Sequence, residues 1–579
     1  MESAMREKVP FLFPRPQKLE VRDDGHPPII PSRIFCTAKK GDHSECTIVK
    51  DWCKTEGYTF TDSAEYGMRG MLCLNLVKEP SADTLYSTKT SSLSAEKYLL
   101  DIRGEGEGCT AEIRYGSLPG LRHALSTIAM LIRGGGIIPC SIEDFPDFAV
   151  RGIIEGFYGK PWSPEERIDM FSLLERYKMN TYVYGPKDDP YHRDLWREPY
   201  DTASLLSLKR LYEAAKAKGL DFWYSVGPGL SLCYSRKNDI DSLERKFLQV
   251  EELGIMNFGL FLDDIPERLQ YPEDREAYSD LVSAHIALCS ELFSRLTGRN
   301  SSIRFCVCPT QYHGRGNEYY ISRLGQGLDP LIDIFWTGPR ICSPELRVED
   351  AVLFRQSTLH TVLYWDNYPV NDLEMSNELH IGPYSGRDRE LYRFSRGIVA
   401  NGMEYPEASK IPFITIACFL WNSGAYEPES CFAHAVLEVA GKRDAADFLL
   451  FAENVRSSCL CSHDAAGIAR TLEDFSFAYA FGDREKAFQD VYARLSPYRK
   501  AAERLSSGLE NERLGMEVRR WLETYTDGIE LLFRAIQYVQ NQDQSAYTAL
   551  EAEYNAYMEE KPRVFADVVY PFIARVVKG

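Results

Sequence analysis

The sequence predicts an α/β protein built on a central (β/α)8 TIM barrel, residues 148–429. A small N-terminal α/β domain (1–147) precedes it and a C-terminal helical bundle (430–579) follows. Three observations carry this. Apolar runs of strand length alternate strictly with helical patterns from Phe148 onward. Eight such runs fall within about 250 residues, the count and size of that barrel. After about Ser430 the strand patterns stop and helical spacing continues alone. A doubly wound open sheet competes for the middle segment, but no GxGxxG follows a strand there.

In the first domain, Met71–Val77 and Tyr98–Ile102 read as strands and Ser117–Arg133 as an amphipathic helix. The turn-rich RGGGIIPCSIEDFPDF marks its end, and no convergent set of catalytic residue types stands in it. The expected barrel strands are Val150–Gly156, Thr181–Gly185, Asp221–Gly227, Phe258–Asp263, Ile303–Cys308, Ile334–Gly338, Thr361–Asp366 and Gly397–Ala400. Helices are expected between most of them, at Pro164–Tyr177, Leu205–Lys218, Asp241–Leu253 and Asp274–Thr297. Helices of the last region are expected at Ala433–Ala440, Asp444–Val455, Asp464–Phe481, Asp483–Leu509, Gly515–Asn541 and Ala546–Met558.

The composition, 44% hydrophobic and 26% charged, is that of a soluble globular protein. A net charge of −18 argues against nucleic-acid or anionic-membrane partners, which want a basic face. The fifteen cysteines are scattered without a CxxC, so reduced thiols in a cytoplasmic protein are expected. The first twenty residues show no apolar run of signal length, although a secreted chain whose signal has been removed stays open. Nothing in the motifs asks for a metal or another cofactor.

Chemistry in such a barrel sits at the C-terminal strand ends and the loops that follow. Those positions hold EGFYG (155–159), GPKDD (185–189), Asp263-Asp264, CPTQY (308–312), WTGP (336–339), WDN (365–367) with Asn371-Asp372, and Asn401. Polar, aromatic and glycine residues thus gather at one rim, as a sugar site requires. The sharpest piece is GLFLDDIPE, residues 259–267, two carboxylates after an apolar strand. Neighbours in a regular strand face opposite sides, so both reach a pocket only if the chain bends. A helix cap, a metal site and a solvated turn are alternative readings. Glycosidase carboxyl pairs usually come from separate strands. An adjacent pair suits a substrate that supplies its own 2-acetamido oxygen as nucleophile, one Asp polarising the amide N–H and the other protonating the leaving oxygen.

These residues, in RGIIEGFYGKPWSPEER, NTYVYGPKDDPYHRDLWRE, FLDDI, CPTQYHG, FWTGPRICS and YWDNYPVND, resemble family 84 of the glycoside hydrolases, the O-linked N-acetylglucosaminidases. The resemblance runs from Arg151 to about Trp421, includes the IEDFPDFAVRG junction and its preceding α/β unit, and reaches the helical region more loosely. It implies a retaining exo-β-N-acetylglucosaminidase acting on GlcNAc-bearing glycoproteins or glycans through an oxazoline. Asp263 would hold the acetamido N–H and Asp264 would be the general acid and then base. Tyr312 would bond near the reacting centre and Asn367 would support the acetamido group. Gly156, Lys187, Asp372 and Asn401 would bind sugar hydroxyls, with Tyr158, Thr337 and Trp365 lining the acetyl pocket.

Each assignment has a structural counterpart. Lys187 could pair with Asp188 or Asp189, Gly156 could serve a tight turn, Tyr312 and Trp365 could be core, and Asp372 could cap a helix. His192, His313 and Glu155 read as supporting residues. A general acid needs a raised pKa, so Asp264 is expected in the less solvated setting, beside an ionised Asp263. The rivals are a GlcNAc-binding module on a decayed barrel, and a hyaluronan-degrading or family 20-like hexosaminidase, the last expected to carry Asp–Glu at FLDDI. A homodimer through the helical region is the remaining partner expectation.

Overall fold

The computed structural model describes residues 12–578 except 23–24, 39–42, 64–65, 80–94, 188, 463, 558–561 and 566–567. Asp188, Met558 and residues 1–11 of the opening segment read for a targeting signal therefore lie outside the described residues.

Seven strands come first: β1 (Lys18–Val21), β2 (Arg33–Ala38), β3 (Thr59–Thr61), β4 (Met71–Lys78), β5 (Tyr98–Glu105), β6 (Gly108–Tyr115) and β7 (Cys140–Asp144). They form one mixed sheet in the order β1-β7-β5-β6-β4-β2-β3. The helix Leu118–Arg133 packs on it through Leu121, Leu125, Ile128 and Ile132, one stripe at helical spacing. Strands β1, β2, β3, β6 and β7 were not anticipated. In β6 the outward positions carry Thr110, Glu112 and Arg114, which breaks the apolar run that marks a strand in sequence.

The barrel strands are β8 (Val150–Glu155), β9 (Thr181–Tyr184), β10 (Asp221–Val226), β11 (Asn257–Phe261), β12 (Arg304–Cys308), β13 (Ile332–Trp336), β14 (Val362–Asp366) and β15 (Ser395–Asn401). All eight pair in parallel, and β15 closes on β8 from Gly397↔Val150 to Asn401↔Ile154. Several strands end one or two residues earlier than their apolar runs suggest. Gly156, Leu262-Asp263 and Thr337-Gly338 leave the ladder and become rim. The interior is filled, with Phe261, Phe335 and Trp365 meeting edge to face beneath the rim.

The single helix expected over Asp274–Thr297 is instead two, Pro272–Ala277 and Leu281–Arg299. Asp280 caps the second by accepting from the Ser283 N–H at 2.8 Å, so the chain restarts there. The helix after β15, Pro406–Trp421, is buried almost all round, between the barrel and the next helix, Pro428–Ala440. From Glu512–Asn541, the longest helix, Glu517 reaches over to accept from the N–H groups of Glu407 and Ala408, at 3.1 and 2.8 Å. This satisfies orphan donors in the first turn of Pro406–Trp421.

Candidate active site

The C-terminal ends of the barrel strands surround a cavity of about 820 Å³, ample for one pyranose and part of its aglycone. All eleven residues singled out in the sequence line it: Gly156, Tyr158, Lys187, Asp263, Asp264, Tyr312, Thr337, Trp365, Asn367, Asp372 and Asn401.

The bend that lets two neighbouring aspartates face one space is visible. Leu262 stays tied to β12, its N–H donating to Cys308 O at 2.8 Å and its carbonyl accepting from Thr310 Oγ1 at 2.7 Å. Two residues later Asp264 takes a left-handed conformation, φ 53°, which turns its side chain back towards the cavity. Asp tolerates that region better than most residues.

The two carboxylates sit in different environments. Asp263 is buried, with the Lys187 ammonium 2.5 Å from Oδ2. Burial pushes its pKa up, but the charge and hydrogen bond of Lys187 outweigh that, and the carboxyl titrates below the ordinary aspartate value. Lys187, itself buried, is raised in turn because the charge of Asp263 overcomes desolvation. Asp264 lies 3.8 Å from the same ammonium, and its side chain is 31% exposed against 8% for Asp263. The expectation of a less solvated Asp264 is therefore corrected: the left-handed turn lifts it to the mouth, and Asp263 takes the dry position. Asp264 accepts from the Tyr158 hydroxyl at Oδ2, 2.7 Å, and from the Tyr312 hydroxyl at Oδ1, 3.1 Å.

The floor is built around Trp365. A Cβ on Gly156 would stand 2.5 Å from the Trp365 ring, so this glycine is set by close approach of the indole; its φ is not left-handed, which excludes the tight-turn reading. Trp365 Nε1 donates to Asn367 Oδ1 at 2.9 Å, and Asn401 Nδ2 donates to the same oxygen at 3.1 Å. Asn401 Oδ1 accepts from Gly156 N–H at 3.2 Å. Thr337 is fixed through Oγ1 to Arg340 O at 2.7 Å. Asp372 caps nothing with its side chain; Oδ2 accepts from Tyr158 N–H at 2.7 Å, and burial raises its pKa.

The supporting residues also have clear partners. Asp189 is held by the Tyr184 and Tyr200 hydroxyls, not by Lys187. His192 is buried with Nδ1 against Ser225 O at 2.8 Å, and burial together with the Lys187 charge lowers its pKa to about 4, so it is neutral. Glu155 is fully buried between Arg167 and the Tyr182 hydroxyl. His313 is exposed.

Cys308, the last residue of β12, stood among the strand-end positions but was given no role in the sequence, and it lines the cavity. Sequence reasoning missed the apolar side of the mouth, Ile341, Val370, Leu373 and Met375, and the half-buried Arg193, whose Nη1 donates to the Tyr158 oxygen at 2.9 Å. No local signal separates Arg193 from Arg197 in HRDLWRE.

One carboxyl at the mouth, an ionised one at the base and an indole floor, all at a barrel rim, are the arrangement of a glycoside hydrolase. The particular family follows from comparison: the β-N-acetylglucosaminidase family profile matches residues 151–453, and the chain belongs to that family. Rat and mouse proteins named protein O-GlcNAcase are 34% identical over 272 residues, 46% of this chain. That match spans only 29% of their own length. An O-GlcNAc hydrolase mutant of Thermobaculum terrenum is 35% identical with a TM-score of 0.71, covering 74% of this chain and 95% of that one. The structure named CpGH84B has a TM-score of 0.82 at 24% identity, covering 98% of this chain and 100% of its own, and supports the fold alone.

Proposed function

We propose that this chain is a retaining exo-β-N-acetylglucosaminidase that removes terminal β-linked GlcNAc, including GlcNAc on Ser and Thr hydroxyls. One observation carries the reading: two adjacent aspartates share a sugar-sized cavity, with Asp263 dry and held ionised by Lys187 and Asp264 at the mouth. A buried anion suits the acetamido N–H, whose nitrogen becomes positive as the carbonyl oxygen attacks C1. Asp264 gives its proton to the glycosidic oxygen as the C1–O bond breaks, leaving an oxazoline. The resulting carboxylate then takes a proton from the water that opens that ring, and the two inversions give retention. Gly156, Tyr158, Thr337, Trp365, Asn367, Asp372 and Asn401 hold the sugar and its acetyl group in this scheme, and Tyr312 steadies Asp264. The barrel, 148–429, is the catalytic unit and the flanking domains support it.

The names of the rat, mouse and Thermobaculum relatives support the protein-bound substrate. A thiazoline analogue of the oxazoline is expected to compete at concentrations far below the substrate KM. Lack of inhibition well above KM would contradict substrate assistance.

Fifteen free cysteines, eleven of them buried, support a cytoplasmic setting. Among the described residues no helix is long and apolar enough to cross a membrane. Pairing of two copies through the C-terminal helices belongs to the same reading, supported by the exposed rings of Phe477 and Phe481. Sedimentation of the full chain is expected to give a dimer that Phe481→Glu dissociates; a monomer at all concentrations removes this element.

A further inference from the structure

We propose that Arg193 is a positioning residue that, through Tyr158, dictates which oxygen of Asp264 carries the catalytic proton; the proposal rests on the glycosidase reading above. Tyr158 joins the two. Its oxygen accepts from Arg193 Nη1 at 2.9 Å and lies 2.7 Å from Asp264 Oδ2. A guanidinium is only a donor. Among the described residues the phenolic hydrogen therefore has one partner left, and Tyr158 donates to Oδ2. Two cations lie near its ring, the Lys187 ammonium 5.5 Å and the Arg193 guanidinium 5.6 Å from the ring centre. The backbone N–H of Tyr158 is fixed on Asp372 at 2.7 Å.

The other oxygen is free to change role. Oδ1 meets the Tyr312 hydroxyl at 3.1 Å, and among the described residues no donor reaches the Tyr312 oxygen. Tyr312 can donate to an ionised Oδ1 or turn its hydrogen away and accept from a protonated one. Oδ1 therefore carries the proton. It leaves for the glycosidic oxygen as the C1–O electron pair moves there, and Asp264 becomes a carboxylate that both phenols stabilise. Without Arg193, Tyr158 can also accept, and the proton can settle on Oδ2, away from the leaving group.

The pH dependence has a definite sign. Among the described residues, the charged and titratable groups around Asp264 are Asp263, Lys187, Tyr158 with Arg193 behind it, Tyr312, Cys308 and Asp372, with Glu374 on the same cavity. Lys187, Arg193 and the donated phenolic hydrogens favour its ionised form, while Asp263 and Asp372 oppose it. Loss of Arg193 removes one cation and one fixed donor, so the acid holds its proton to higher pH and the alkaline limb of kcat/KM moves up.

The test measures that limb with full-length wild type, Arg193→Met, Arg193→Lys and Tyr158→Phe, on 4-nitrophenyl β-GlcNAc and an alkyl β-GlcNAc. Arg193→Met and Tyr158→Phe are each expected to raise it by about half to one pH unit, on the scale of one lost donor or nearby charge. Both should lower kcat on the alkyl substrate about tenfold, Arg193→Met with KM little changed, on the scale of a misdirected acid. Arg193→Lys restores most of the limb, and Arg193→Met adds little on the Tyr158→Phe background. Should Arg193→Met fail to fold, Arg193→Gln takes its place and is read the same way. An unmoved limb overturns the proposal, as does a shift equally large with and without the Tyr158 hydroxyl. Absence of wild-type turnover removes the glycosidase reading itself; wild-type turnover with an unmoved limb removes only the role of Arg193.

Discussion

Lys187 shows how one side chain divides labour between two chemically identical neighbours. It touches Asp263 at 2.5 Å and Asp264 only at 3.8 Å, so its charge acts mainly on the buried carboxyl, which stays ionised. Asp263 has a depressed pKa, so the stability it contributes is present above its unfolded pKa and is lost as pH falls through the folded one. Lys187→Met leaves burial unopposed. It is expected to move the acidic limb of kcat/KM upward and to cost about 3–5 kcal/mol at neutral pH, the usual loss for one partner of a buried pair. A pH profile with urea unfolding checks both; an unmoved acidic limb would mean that Asp263 does not need this cation. Much of this scale was legible in the sequence, because strand-end position names rim residues whatever their rotamers. The solvation order of Asp263 and Asp264 was not, because it depends on a left-handed φ at 264 that no residue type announces. Arg193 was hidden for a related reason: its role comes from contact with Tyr158, 35 residues away in the chain.

At the scale of elements, the contact between the helix Glu512–Asn541 and the N-terminal turn of Pro406–Trp421 ties the bundle to the barrel. Glu517 accepts two backbone hydrogen bonds there, yet burial, with the nearby charge of Glu407, raises its pKa to about 7. A carboxyl whose folded pKa exceeds its unfolded one gives its full stability below the unfolded value and loses it as pH rises through the folded value. Wild type should therefore lose stability between about pH 4.5 and 7 through this group, over and above its other titrations. Glu517→Gln, which cannot ionise, should show a flatter decline across that window in denaturant melts. Parallel curves for the two proteins would show that the site does not couple to folding. The helices themselves follow from apolar spacing in the sequence. Their breaks and junctions follow from local caps such as Asp280, and from carboxylates such as Glu517 that act on another element, where pattern reading stops.

Over the whole molecule, buried ion pairs join the first domain to the bottom of the barrel. Arg151, next to the start of β8, bonds Glu96, and Lys178 bonds Asp144 at 2.8 Å, with Trp421 Nε1 donating to the same Asp144 at 2.9 Å. The cavity occupies the opposite, C-terminal ends of the same strands, so the first domain braces the barrel away from it, while the helical bundle meets the rim side, where Cys459 Sγ lies 3.9 Å from Asn367 O. Alternation of strand and helix made the barrel readable from sequence, whereas the mixed sheet of the first domain was only partly so, because its outward strand positions are charged. The central claim is that Asp264 is the acid and acts on a β-linked GlcNAc. The most direct measurement is turnover of 4-nitrophenyl β-GlcNAc and of an alkyl β-GlcNAc by wild type and Asp264→Asn. The aryl substrate leaves without much protonation and the alkyl one does not, so the variant should lose alkyl hydrolysis by orders of magnitude and keep far more of the aryl rate, acid catalysis being worth about 10²–10⁴-fold. Equal losses on both substrates, or no turnover of either by folded wild type, would contradict it.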